Sequence, residues 1–172
     1  MDRILVALSE DQLTVTHILN THGHFDHVGG NQRLKEITGA PICIHEDDAP
    51  MLSHVAASAA SFGMNVKNSP DADQTFKDGD TISCGNIDLK VLHTPGHSPG
   101  GASFYAPGVV FVGDTLFAGS IGRTDFPGGS YDQLIASVKN KLFTLDDVTR
   151  VYTGHGPETT IGEEKRTNPF FQ

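Results

Sequence analysis

The chain has 172 residues, 37% hydrophobic and 19% charged, with 12 Lys and Arg against 21 Asp and Glu for a formal charge of −9. That length suits one domain over 1–172, and the apolar share is enough for a buried core. The acidic balance excludes a nucleic-acid binder that works through phosphate contacts. Cys43 and Cys84 have no CxxC spacing, which excludes a disulfide scaffold and a thiolate metal knuckle. The apolar run Ile4 to Leu8 is too short for a signal core or a membrane span. A cytoplasmic protein with no membrane contact is the expectation.

In chain order, Asp2 to Ser9 reads as a short helix with Asp2 as its N-cap. Val15 to Asn20 is a β-branched apolar run and reads as a buried strand. His27 to Thr38 reads as a helix stopped by Gly39. Pro41 to His45 follows as a strand, and Glu46 to Ala60, rich in Ala, as a helix. Asn65 to Asp80 carries Asn68-Ser69-Pro70-Asp71 and reads as a loop. Thr75 to Val112 gives several short strands separated by glycine turns. Tyr131 to Leu142 is amphipathic, with Leu134, Ile135, Val138 and Leu142 on one side. Val148 to Thr153 is a last strand and Thr160 to Thr167 a last helix.

The nine histidines stand out, four of them between His17 and His27. Thr21-His22-Gly23-His24-Phe25-Asp26-His27 lies just past a strand end, where residues two apart project to the same side. His22 and His24 can therefore share one ion, and Asp26 and His27 can face a neighbouring position. Three later segments repeat the theme of a strand that ends in a potential ligand beside glycine. They are Thr94-Pro95-Gly96-His97, Val112-Gly113-Asp114-Thr115 and Thr153-Gly154-His155-Gly156-Pro157. Each alone is a turn histidine or a capping aspartate. Four together point to a metal centre. His17, His45, His54 and His93 read as ordinary polar residues, and Cys43 and Cys84 as packed thiols.

Together with Gly119 to Gly129 and the tail from Glu158 to Phe170, this set resembles the metallo-β-lactamase superfamily, and within it the short glyoxalase II-like hydrolases. The resemblance implies an α/β fold, an αββα four-layer sandwich. It also implies one metal on His22, His24 and His97 and a second on Asp26, His27 and His155, with Asp114 bridging. The implied cofactors are two divalent ions, zinc in the first place, with iron or manganese also admissible. The implied reaction is hydrolysis of a thioester such as a hydroxyacyl-glutathione by a hydroxide between the ions, with Asp26 and Asp114 as the catalytic pair. Arg123, Lys165 and Arg166 are the candidates for contact with a small anionic substrate. The alternatives are a mononuclear iron sulfur dioxygenase on His22, His97 and Asp114, sharing the Gly122 to Phe126 segment, or a weakly active metal-binding fragment. Chains of this type carry further strands before their first helix. The sequence therefore reads as N-terminally shortened, and homo-oligomerisation through an exposed sheet edge follows as an expectation.

Overall fold

The computed structural model describes residues 2–172, with side chains from Ile4 onward, so the capping role read for Asp2 lies outside the described residues. Helix α1 (Asp2–Glu10) leads to strand β1 (Ile18–Leu19). The helix read over His27 to Thr38 is two, α2 (Phe25–Val28) and α3 (Asn31–Thr38). Gly29-Gly30 divides them, since glycine loses more backbone entropy than other residues on entering a helix. Gly39 does end α3, in a left-handed conformation, with its N–H on the Lys35 carbonyl. Strand β2 (Ile42–His45) is followed by a 3₁₀ turn (Ala49–His54) and α4 (Val55–Ala60).

The segment read as a loop contains β3 (Gln74–Phe76), which pairs in parallel with β2. Only Phe76 is buried there, so no apolar period marks the strand. Strands β4 (Thr81–Cys84), β5 (Ile87–His93), β6 (Ala102–Ala106) and β7 (Val109–Gly113) form a meander. A small hairpin, β8 (Leu116–Phe117) with β9 (Ser120–Ile121), precedes α5 (Tyr131–Asn140). After a 3₁₀ turn (Leu142–Thr144) come β10 (Arg150–Thr153), β11 (Thr159–Thr160) and α6 (Ile161–Thr167). Ser130 caps α5 by accepting from the Gln133 N–H, and Thr160 caps α6 by accepting from that of Glu163.

The strands form a parallel sheet ordered β1-β2-β3 and a six-stranded sheet ordered β11-β10-β7-β6-β5-β4. Alternation along the strands shows how they stack. Ile18, Ile42 and Ile44 face Val28, Leu34 and Val55 of the helices, while Leu19 and Cys43 face Phe76, Val91 and Phe104 between the sheets. On the larger sheet Val110, Val112 and Val151 pack against Val138, Leu142 and Ile161. Helix, sheet, sheet, helix is the expected four-layer sandwich. Among the described residues β1 pairs with β2 alone and lies at one edge of its sheet. Beside it Phe111 and Tyr152 stack at 5.2 Å, and Phe111 stays 42% exposed. Among the described residues no helix is long and apolar enough to cross a membrane.

Candidate metal centre

Four chain segments meet at one end of the sandwich, where β1, β5, β7 and β10 terminate. Two glycines make the approach possible. Gly96 has φ +131°, and a Cβ there would overlap the Leu134 backbone; Gly113 has φ +52°, and a Cβ there would strike the Thr21 side chain. Only a residue without a Cβ lets the loops carrying His97 and Asp114 come this close.

His22, His24 and His97 present ring nitrogens to a common point; His22 and His27 with an Asp114 oxygen, and His27 and His155 with an Asp26 oxygen, form two further such groups. His24 Nδ1 lies 2.8 Å from His97 Nε2. His27 Nε2 lies 3.3 Å from His155 Nε2, and His155 Nε2 lies 3.1 Å from Asp26 Oδ2. Asp114 stands between the groups, with Oδ1 3.3 Å from His27 Nε2 and Oδ2 3.6 Å from His97 Nε2 and 3.5 Å from His155 Nε2. Ligand atoms at ~2.0–2.1 Å from a tetrahedral ion stand about 3.4 Å from one another. Most of these separations fall near that value.

The donor chemistry fits a cation. His97 Nδ1 is 2.8 Å from the Arg123 carbonyl, which can only accept, so the proton sits on Nδ1 and the Nε2 lone pair faces the centre. His22 Nε2 and Asp114 Oδ1 are buried with no hydrogen-bond partner, a costly state for polar atoms unless something else satisfies them. Burial, and after it the charges of the neighbouring histidines, hold the His22 pKa well below its ordinary value. Burial and then His97 bring His24 to about 4. These imidazoles are neutral near pH 7, the form that binds metals. Burial alone would raise the Asp114 pKa, but His27, His97 and His155 outweigh it and hold the carboxylate below its usual range.

Two positioning residues escaped the reading of the sequence. Asp48, fully buried, accepts from the Gly23 N–H at 2.9 Å, the Ser98 hydroxyl at 2.7 Å and the Gly100 N–H at 2.6 Å. It thereby ties the His22–His24 loop to the His97 loop. Glu164, also buried, accepts from the Gly119 N–H at 2.9 Å, the Thr159 hydroxyl at 2.7 Å and the Asn168 amide at 2.7 Å. The only signal for Asp48 was its place just after a buried strand, and for Glu164 its place within the capped turn of α6.

The ligand cluster forms the floor of a cleft of about 1070 Å³. Met51, Val55 and Phe62 line one wall, and Phe117, Ile121 and Phe126 the other. Of the three residues expected to meet substrate, Arg123 borders this cleft, with Nε and Nη2 each 2.7 Å from the Asp125 carboxylate and its guanidinium 3.9 Å over the Phe126 ring. Lys165 and Arg166 do not border it, and the expectation for them is corrected. Lys165 Nζ is held by Asp147 at 2.6 Å and Arg166 by Glu163 at 2.6 Å, because α6 packs on the outer face of the large sheet. His54, read as an ordinary polar residue, does line the cleft. His45 is buried and stacks on His93 at 4.1 Å.

Residues 1–155 match the family model described as the metallo-beta-lactamase superfamily. The chain is 39% identical over 173 residues to hydroxyacylglutathione hydrolase GloC of Haemophilus influenzae, covering 98% of this chain and 82% of that protein. Two solved structures share the fold at comparable identity. The B3 metallo-beta-lactamase BLEG-1 has a TM-score of 0.93 at 38% identity, covering 99% of this chain and 84% of that one. TTHA1623, solved in a di-iron-bound form, has a TM-score of 0.90 at 40% identity, covering 98% and 84%. Fold, site and sequence agree: the chain belongs to the metallo-beta-lactamase superfamily.

Proposed function

We propose that the protein is a dinuclear metal-dependent hydrolase of thioesters. One ion would be held by His22, His24 and His97 and the other by Asp26, His27 and His155, with Asp114 between them. When bound, such ions lower the pKa of water toward neutrality and polarise a carbonyl oxygen, and zinc is the ion the nitrogen-rich donor set favours.

The chain's own residues supply the rest. Asp114, kept ionised beside three histidines, stands between the two triads, with Oδ1 toward His27 and Oδ2 toward both His97 and His155. Asp26, whose side chain is 38% exposed and lines the cleft, would orient the attacking water and take its proton. Water adds to the acyl carbon, the C–S bond breaks, and the sulfur leaves as a thiolate that is stable near neutral pH, so no strong general acid is required. The Arg123 carbonyl holds the His97 ring in its orientation throughout. No cysteine nucleophile is called for: neither Cys43 nor Cys84 lines the cleft, and the Cys43 thiol pKa is raised to about 11 by burial and then by Asp73. Two free cysteines also fit the reducing cytoplasm, where we place the protein.

The complete second triad of Asp26, His27 and His155 carries this reading. A mononuclear dioxygenase on His22, His97 and Asp114 leaves that triad without a role. Parallel assays of thioester hydrolysis by the zinc-loaded protein and of oxygen uptake with a persulfide by the iron-loaded protein separate the two. Hydrolysis without oxygen uptake is expected; the reverse would replace the hydrolase by the oxygenase.

A further inference from the structure

The cleft walls bear on the substrate. Two apolar side chains from the 49–62 segment, Met51 and Phe62, face the cleft with Phe117, Ile121 and Phe126. Phe62 and Phe126 meet edge to face at 6.1 Å although they come from opposite walls, and the Phe126 ring stands 5.3 Å from His24. Phe62 keeps half of its surface exposed, so its ring is available to a ligand.

Charge on the rim points the same way. Among the described residues that line the cleft, Arg123 is the one lysine or arginine, and its charge is matched by a two-point contact with Asp125. Asp47 adds negative charge on the rim. A glutathione moiety brings two carboxylates and one ammonium group. Among the described residues of the lining its carboxylates would meet no unpaired lysine or arginine.

Resting on the thioester-hydrolase reading, we infer that the preferred substrate carries an uncharged, apolar group as its non-reacting bulk, packed against the exposed faces of the Phe62 and Phe126 pair, and that glutathione thioesters are the poorer class. Apolar surface on both walls rewards such a group, and the rim penalises an anionic one.

The test combines binding with turnover on the zinc-loaded full chain. Calorimetry compares two unreactive thioethers, neutral S-benzyl-N-acetylcysteamine and anionic S-methylglutathione, in the wild type and in Phe62→Ser. The neutral ligand is expected to bind about tenfold tighter or more, and the substitution to remove most of that preference while the melting temperature holds. Kinetics compare the lactoyl thioesters of benzyl mercaptan and of glutathione, with kcat/KM favouring the first through KM. Equal or tighter binding of S-methylglutathione, no measurable binding of either thioether, or a preference untouched by both Phe62→Ser and Phe126→Ser would overturn the inference. Turnover of both esters with glutathione favoured would overturn it while sparing the hydrolase reading. Turnover of neither ester, with the binding preference intact, would sink the hydrolase and leave the apolar specificity standing.

Discussion

The two halves of the ligand cluster are built differently. His22 and His97 are 2% and 4% exposed, and their loops are braced by Asp48 and by the Arg123 carbonyl. In the other half the Asp26 and His155 side chains are 38% and 58% exposed, and β10 delivers His155 on a loop of glycines. A braced, largely buried triad loses little freedom when it binds an ion. An open one must give up side-chain entropy and compete with water. The halves should therefore fill in order, the buried triad first, and chemistry should wait for the second.

The largest effects belong to the buried half. His22→Ala should bring zinc content from about two ions per chain to below one and lower kcat/KM by ~10²-fold or more, as loss of a first-order catalytic term does. His155→Ala should leave about one ion in place. Elemental analysis of both variants after the same dialysis checks the difference, and equal losses would erase the distinction.

Asp48→Ala comes next. It leaves three donors in a dry site without an acceptor, at ~1–3 kcal/mol each in the worst case, less where water can enter. A net loss of about 3 kcal/mol would lower the melting temperature of a domain this size by roughly 6–12 °C. Metal retention should fall with it, although Asp48 is not placed as a ligand. Gly154→Ala is a local counterpart on the open side. Its Cβ would collide with the Asp114 carboxylate, so activity should fall with little change in melting temperature.

These two positions show what the sequence conveyed and what it did not. The candidate ligands were legible as a cluster because each sits in a local pattern, a strand that stops at a glycine-flanked His or Asp. The two braces were not. The Asp48 partners are 25, 50 and 52 residues away, and Glu164 reaches Gly119 at a separation of 45, so no local period marks either role. Strand β3 was hidden because a single buried Phe76 makes no alternation, and the long helix was overread because its apolar spacing runs on across Gly29-Gly30. Lys165 and Arg166 are a contrary case. Charge type suggested a ligand contact, but their helix faces the other side of the sheet, with both cations already paired.

The smallest expected effect follows from that placement. Lys165→Ala and Arg166→Ala should each change kcat/KM less than about twofold, since exposed ion pairs are worth ~0–1 kcal/mol and neither residue borders the cleft. A loss beyond tenfold, with the fold intact, would return them to the substrate.

Stepwise loading tests the central claim most directly. Metal-free protein would be titrated with zinc while calorimetry counts the ions and a thioester assay runs on the same samples. Two binding steps are predicted, the first tighter, with hydrolysis rising only as the second equivalent enters. Full activity at one equivalent, or no zinc uptake at all, would contradict a dinuclear centre formed by these seven side chains.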